Sequence, residues 1–138
     1  MENIKELNYA ELRQLLLKEC RNMMGHFDMT LDLIERDHVI MHMLISEANR
    51  NPYGGLHGGA YFTMSDICSG ITAMTDGRRY VTQDASCQFL NGKMNGTVAA
   101  EGTVLKRGRK TCTVQVRIYD EEDKLLYNSV VTMFCITE

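Results

Sequence analysis

The sequence predicts an α+β domain in which a curved antiparallel sheet of six strands wraps around one central helix, with a second helix at the N-terminus. The central helix is indicated between residues 58 and 74, where apolar side chains recur at the intervals of one helical face: Ala60, Met64, Ile67, Ile71 and Met74. Around it lie six segments with the composition of β-strands. Because long antiparallel strands accumulate twist, we expect the sheet to curl around the buried helix rather than stay flat.

The six predicted strands form one hairpin before the central helix and a run of four strands after it. The first two strands, 29–35 and 39–48, are separated by a polar turn at Arg36-Asp37. The four later strands are predicted at 80–90, 97–106, 110–120 and 125–136. Alternation is clearest in the third of these, where every second residue is apolar: Cys112, Val114, Val116 and Ile118. This pattern indicates a sheet with one packed face and one wet face.

Residues 1–26 are predicted to form an N-terminal helical extension, and residues 27–138 the main domain. Asn8 and Glu11 have the spacing of a helix N-cap and its reciprocal partner, and apolar residues follow at helical intervals up to Gly25. The charged positions of this helix are mixed in sign, which favours packing against the domain over recognition of a partner. A chain of 138 residues has room for one such core.

Composition and charge argue against several classes of function. The formal net charge is −3 with acids and bases mixed along the chain, whereas a nucleic-acid-binding protein usually presents a basic face. The five cysteines include no C-x-x-C pair and no nearby histidine at metal spacing, so we expect reduced thiols and no metal site. The N-terminus lacks the apolar segment of a signal peptide, and no apolar run is long enough to span a bilayer. We therefore expect a cytoplasmic protein without nucleic-acid or membrane partners.

The segment from Asn51 to Asp66 has the layout of an active site. A loop that carries Asn51 and His57 contains four glycines within six positions and leads directly into the central helix, which carries Asp66. So many glycines indicate positive φ angles or a backbone that approaches a ligand closely. At the helix start, the Gly58 N–H lacks an intrahelical partner and suits a developing oxyanion. The structural alternative is a helix start capped by Asn51 or water, with His57 filling space.

Asp66 lies off the apolar stripe of the central helix, on a second line of mostly small residues. The other members of this line, at the same helical spacing, are Gly59, Thr63, Gly70 and Ala73. One interpretation is that Asp66 caps a backbone turn where a neighbouring element packs closely. The other is that a groove runs along this line, with Asp66 in its wall as a base or nucleophile.

A basic turn joins the fourth and fifth predicted strands, with the sequence Lys106-Arg107-Gly108-Arg109-Lys110. Four cations around one glycine are most simply a solvated hairpin that protects the sheet edge and improves solubility. In a chain of net negative charge, the same turn is also a candidate phosphate-binding site, because arginine supplies fork-shaped donors.

Together these residues resemble the hotdog-fold acyl-CoA thioesterases of the phenylacetic-acid-degradation (PaaI-like) type. The resemblance covers about residues 27–137 and rests on the following segments: Gly55-Leu56-His57-Gly58-Gly59, Asp66, Val81-Thr82, Phe89-Leu90 and Arg107-Gly108-Arg109. It implies a sheet wrapped around a helix, homodimers that join two sheets side by side, and often homotetramers. It also implies a thioester hydrolase that releases a free acid and coenzyme A, with no cofactor besides the coenzyme A of its substrate.

The resemblance assigns roles to residues at matching positions. Asp66 would be the general base or nucleophile, and the Gly58 N–H would polarise the thioester carbonyl from across the dimer interface. Asn51 and His57 would position water or the carbonyl, and Thr82 would orient the attacking water. The substrate-binding residues would be Gly59 and the basic turn that meets the phosphates of coenzyme A: Lys106, Arg107, Gly108, Arg109 and Lys110. A non-hydrolytic acyl-CoA sensor on the same fold is the competing interpretation.

Overall fold

The computed structural model describes residues 4–137 and has the predicted α+β architecture. In chain order the elements are α1 (Tyr9–His26), β1 (Met29–Glu35), β2 (His38–Leu44), a 3-10 turn (Glu47–Asn49), α2 (Gly58–Met74), β3 (Tyr80–Phe89), β4 (Thr97–Arg107), β5 (Thr111–Tyr119) and β6 (Leu125–Cys135). The strands form one antiparallel sheet in the order β1-β2-β4-β5-β6-β3, so β1 and β3 are its edges. No helix in the described range is long and apolar enough to cross a membrane.

The central helix α2 packs against β2 through β6 and occupies the middle of the core. Ala60, Met64 and Ile71 are buried as predicted, whereas Ile67 is only half-buried and Cys68 is fully enclosed. The buried face is therefore turned slightly from the predicted stripe. Gly102 of β4 permits this packing, since a Cβ there would lie 2.3 Å from Thr72 Oγ1 and 3.0 Å from Cys68 Sγ.

The N-terminal helix α1 packs on the domain, as its mixed charges predict. Its N-cap is the predicted capping box, in which the Asn8 side chain accepts from the Glu11 N–H and the Glu11 carboxylate accepts from the Asn8 N–H. Leu16 is fully buried. Near the other end of α1, Glu19 accepts two hydrogen bonds from the buried Arg79 guanidinium, at 2.8 and 3.1 Å. This ion pair ties α1 to the segment that leads into β3.

The second strand ends at Leu44 and not at residue 48, so its predicted length is wrong. The chain leaves the sheet because Asn49, in the 3-10 turn, is buried with its amide group fully used. The Asn49 amide donates to the carbonyls of Phe27 and Leu44, and its oxygen accepts from the Ser46 N–H. The Asn49 carbonyl in turn accepts the N–H of His57 at 2.8 Å, which fixes the start of α2.

Candidate active site

Asp66 and Thr82 form a carboxylate–hydroxyl pair between the middle of α2 and the edge strand β3. The Thr82 hydroxyl donates a hydrogen bond of 2.6 Å to Asp66 Oδ1. Asp66 is half-buried and Thr82 is exposed, so the pair is open to solvent on one side. Among residues 4–137, no donor contacts Asp66 Oδ2, which leaves that oxygen able to accept a proton or to act as a nucleophile.

A β-bulge in β3 lies directly beside this pair. Thr82 pairs with Met133 of β6, whereas Asp84 pairs with the next residue of β6, Thr132. Gln83 is therefore an extra residue of β3 between these two pairs. Bulges of this kind redirect neighbouring side chains and are frequent next to active sites. Here the strand holds the Thr82 hydroxyl within 3.7 Å of Met133 Sδ as well as against Asp66.

Among residues 4–137, the start of α2 presents one backbone N–H that has no partner. His57 is the N-cap, and its Nδ1 accepts the N–H of Gly59 at 2.9 Å. Because Nδ1 is the acceptor, a neutral His57 ring carries its proton on Nε2. The His57 carbonyl accepts from the next two N–H groups, those of Ala60 and Tyr61. Within the described part of the chain nothing accepts from the Gly58 N–H, which lies at the positive end of the helix dipole.

Asn51 organises the glycine loop that precedes α2. Its side-chain oxygen accepts the N–H groups of Tyr53 and Gly55, at 2.9 and 3.1 Å, and its own N–H donates to the Gly55 carbonyl. Gly54 has a φ of +91°, which the turn requires and glycine adopts without strain. The structure thus gives Asn51 a role in shaping the loop, while its predicted contact with water or the carbonyl stays a prediction.

An apolar cavity of about 310 Å³ opens beside Gly58. Its lining includes Leu56, Tyr61, Phe89 and Leu90. The rings of Tyr61 and Tyr127 are stacked with centroids 5.8 Å apart, and Phe89 packs edge-on against both. A Cβ on Gly58 would lie 3.5 Å from the Phe89 ring, so this ring packs close to the Gly58 backbone. Burial raises the pKa of Tyr61 to about 12, which keeps its hydroxyl neutral.

Gly58 and Asp66 do not meet within this single chain. They lie on the same helix, eight residues apart, which corresponds to about 12 Å along its axis at 1.5 Å per residue. Gly59 lies on the wall of a second cavity of about 310 Å³, together with His57 and Thr63. The structure therefore brings His57, Gly58 and Gly59 together at one end of α2 and pairs Asp66 with Thr82 farther along it.

The basic turn lies between β4 and β5, and its cations are of two kinds. Lys106, Arg109 and Lys110 are exposed, and in the described part of the chain none of them is paired with an acid. Arg107 is directed inward, where its guanidinium lies 2.7 Å from Asp37 and 2.8 Å from Asp76. This placement departs from the sequence prediction for Arg107, because its donors already serve partners of the same protomer.

Asp76, just after α2, is the centre of this inward network. Its Oδ2 lies 2.8 Å from Arg107 Nη1, 2.7 Å from Arg78 Nε and 2.8 Å from the Tyr80 hydroxyl. Burial opposes ionisation, but hydrogen bonds from the Arg78 N–H, the Tyr80 hydroxyl and the Arg78 side chain outweigh it, so the pKa of Asp76 lies below its usual range. Neither Asp76 nor Arg78 stands out in the sequence, since a charged turn after a helix is common.

Comparison with known proteins identifies the family. The model described as "Thioesterase superfamily" matches residues 53–127, more than half of the chain, so the protein belongs to the thioesterase superfamily. It is 25% identical over 114 residues to 1,4-dihydroxy-2-naphthoyl-CoA hydrolase of Escherichia coli K12, a match that covers 80% of this chain and 84% of that protein.

Two solved structures give the same result for the fold. A thioesterase of Haemophilus influenzae matches with a TM-score of 0.85 and 25% identity, over 99% of this chain and 96% of its own. A hypothetical thioesterase protein of Streptococcus pneumoniae TIGR4, solved with coenzyme A, matches with a TM-score of 0.83 and 26% identity, over 88% of this chain and 98% of its own. The predicted hotdog fold and thioester hydrolase class are confirmed. The PaaI-like subtype stays a prediction.

Proposed function

We propose that this protein hydrolyses acyl-CoA thioesters at a site completed by a second copy of the chain. The observation that carries the proposal is that Asp66, which is paired with Thr82, and the Gly58 N–H, which has no partner among the described residues, both belong to α2, yet lie about 12 Å apart along its axis. One thioester can therefore contact both only if they come from different protomers. The coenzyme A bound to the Streptococcus pneumoniae neighbour supports a coenzyme A thioester as the substrate.

The same neighbour supports the choice of the reacting pair. Two further structures of it carry an alanine in place of an aspartate and of a threonine, at positions sixteen residues apart. Asp66 and Thr82 have this separation in the chain, and they share the 2.6 Å hydrogen bond. We therefore place the Asp66 carboxylate and the Thr82 hydroxyl at the reacting centre.

The edge strand β3 is the surface on which the second copy would pair. It is ten residues long, has an unpaired edge in the single chain, and exposes Val81 and Phe89. The unpaired N–H and C=O groups of a long edge strand are a template for pairing with another strand. A two-fold axis beside β3 would pair the strand with its own copy and bring Asp66 of one protomer towards Gly58 of the other. Pairing of two such dimers would give the homotetramer that the family resemblance implies.

In the proposed mechanism, the thioester carbonyl oxygen accepts a hydrogen bond from the Gly58 N–H at the helix start of one protomer. The Thr82 hydroxyl of the other protomer holds Asp66 Oδ1, so that Asp66 Oδ2 faces a water molecule. Asp66 takes a proton from this water as its oxygen bonds to the carbonyl carbon. The tetrahedral intermediate then collapses, the carbon–sulfur bond breaks, and the proton on Asp66 passes to the leaving sulfur, which gives the free acid, coenzyme A and an ionised Asp66.

A second route to the same products is direct attack by Asp66 on the carbonyl carbon, which gives a mixed anhydride that water then cleaves. A single turnover in ¹⁸O-labelled water distinguishes the general-base route from an anhydride route in which water attacks the aspartyl carbon. In the general-base route the label appears in the released acid. In the anhydride route with water attack at the acyl carbonyl, the first turnover also labels the released acid, whereas attack at the aspartyl carbon labels Asp66, which mass spectrometry of the protein detects.

The proposal is tested by release of free thiol from short, medium, long and aryl acyl-CoAs. We expect Asp66→Asn to lower kcat by about 10²–10⁴. Asp84→Asn, which removes a neighbouring acid of β3, is the matched control and should keep the wild-type rate. Undiminished turnover by Asp66→Asn would remove the carboxylate from the mechanism. Tight binding of acyl-CoA without thiol release would instead favour the non-hydrolytic sensor.

A further inference from the structure

Arg78, which lies outside the basic turn between β4 and β5, donates hydrogen bonds to the backbone of this turn. Its Nη1 donates to the Arg109 carbonyl at 2.7 Å, and its Nη2 donates to the Gly108 carbonyl at 3.1 Å. Its Nε donates to Asp76 at 2.7 Å, and its guanidinium carbon lies 5.4 Å from the centre of the Tyr80 ring. Each guanidinium nitrogen of Arg78 therefore has a partner inside the protomer.

Arg78 and Arg107 hold different parts of the turn, and both bind the same carboxylate, that of Asp76. Arg107 anchors the end of β4 to Asp76, and Arg78 joins the same carboxylate to the carbonyls at the tip of the turn. Bonds to backbone carbonyls fix the main chain itself, and so fix where the side chains of Arg109 and Lys110 begin. Two half-buried cations therefore position the turn, and among residues 4–137 the three exposed cations have no acidic partner.

The position of the turn in the sheet relates it to the reacting pair. Arg107 pairs with Cys112, Cys112 with Met133, and Met133 with Thr82. These residues form one row across β4, β5, β6 and β3, so the turn and Thr82 lie at the same end of the sheet. Three strand spacings separate them, or about 14 Å. The flexible pantetheine arm of coenzyme A is long enough to bridge this distance.

We propose that Arg78 is a positioning residue: it preorganises the basic turn, whose exposed cations Lys106, Arg109 and Lys110 are those that the family resemblance assigns to the phosphates of coenzyme A. This inference rests on the proposed function, because it takes coenzyme A as the ligand. A turn that is already ordered does not lose conformational freedom when phosphate binds, so the cost of binding falls. Arg78 acts through the turn, because its Nε, Nη1 and Nη2 each already donate a hydrogen bond to an oxygen of the same chain.

Two measurements on the full-length protein test this role. The first is the Kd for coenzyme A by isothermal titration calorimetry. The second is kcat/KM for the acyl-CoA that releases thiol fastest and for its acyl-pantetheine analogue, which lacks the nucleotide and its phosphates. We expect Arg78→Ala to weaken coenzyme A binding about tenfold, because about one residue of the turn must then be ordered when the ligand binds. KM for acyl-CoA should rise by about the same factor. Its kcat and its kcat/KM for acyl-pantetheine should stay at the wild-type values.

Three further variants make the result specific. Arg109→Ala and Lys110→Ala should weaken coenzyme A binding and spare acyl-pantetheine, as direct loss of a phosphate contact predicts. Arg78→Lys, which keeps the charge but loses the fork that reaches both carbonyls, should weaken coenzyme A binding by a smaller factor than Arg78→Ala. Arg117→Ala removes one exposed cation of β5 and should bind coenzyme A like the wild type.

Several outcomes would overturn the inference. Wild-type affinity of Arg78→Ala for coenzyme A would remove its positioning role, and an equal loss on acyl-CoA and acyl-pantetheine would show a general structural defect. If Arg117→Ala weakened coenzyme A binding as much as Arg78→Ala does, the change in net charge alone would explain the effect. If Arg109→Ala and Lys110→Ala also bind normally while acyl-CoA is hydrolysed, the phosphates bind elsewhere and the proposed function stands. A wild-type protein that neither binds coenzyme A nor releases thiol would end both proposals.

Discussion

Replacing Gly58 by proline would delete a single backbone N–H and leave the rest of the candidate site in place. Gly58 is the first residue of α2, the position in a helix where proline is best tolerated. Proline also requires an extended residue before it, and His57 already has φ −66° and ψ 138°. We therefore expect Gly58→Pro to fold, with a melting temperature near that of the wild type.

The effect on catalysis follows from the role assigned to this N–H. Loss of one oxyanion donor costs about 10²–10³ in kcat, or about 3–4 kcal/mol of transition-state stabilisation. Gly58→Ala is the matched control, because its Cβ would meet only the Phe89 ring at 3.5 and 3.8 Å, which is ordinary contact, and its N–H remains. Thiol release from an acyl-CoA at saturating concentration measures both variants. A folded Gly58→Pro protein as active as Gly58→Ala would refute the assignment of the N–H to the carbonyl oxygen.

Three other substitutions have defined outcomes. Thr82→Val keeps the shape of the side chain but loses the 2.6 Å hydrogen bond to Asp66, so kcat should fall about 10- to 100-fold in the thiol-release assay. Gly102→Ala places a Cβ 2.3 Å from Thr72 Oγ1, and thermal denaturation should show a free energy of unfolding lower by about 2–3 kcal/mol. Asp76→Asn leaves two arginines without their shared carboxylate and should destabilise the fold by about 3 kcal/mol at neutral pH. Because the folded-state pKa of Asp76 is lowered, its contribution to stability is present above the unfolded value of about 3.9 and is lost as pH falls through the folded value. Acid titration of Asp76→Asn should lack this part of the stability loss.

Control variants test the first two of these predictions, and acid titration tests the third. Thr82→Ser keeps the hydroxyl and should retain most activity, so equal damage by Ser and Val would contradict the hydrogen-bond argument. Thr72→Ala should recover part of the stability lost in Gly102→Ala, because it removes the atom that the new Cβ meets. Stability of Asp76→Asn that changes with acid as steeply as the wild type would show that Asp76 is not the titrating group.

Much of the fold could be predicted because the periodicity is local. The alternating residues Cys112, Val114, Val116 and Ile118 are all fully buried, as a sheet packed on one face requires. The end of β2 could not be predicted, because Ile45 extends the apolar run past Leu44, and the hydrogen bonds of the buried Asn49 side chain are to residues that the local pattern does not show. Tertiary hydrogen bonds of one polar residue overrode the strand propensity there.

Part of the candidate site could likewise be predicted from the sequence, and part of it could not. The pattern around His57 and Gly58 was visible because a helix start and its unpartnered N–H groups depend on neighbouring residues only. The inward direction of Arg107 was not visible, because it depends on Asp37 and Asp76, which are distant from it in the chain. The sequence of the basic turn shows four cations and does not show which of them already have partners.

The spacing of Gly58 and Asp66 along one helix allows two inactive chains to rescue each other. Under the proposed arrangement, a Gly58→Pro chain still carries a working carboxylate, and an Asp66→Asn chain still carries a working oxyanion donor. Co-refolding equal amounts makes half of the dimers mixed, and each mixed dimer regains one of its two sites, so about a quarter of wild-type activity should return from a mixture of two dead proteins.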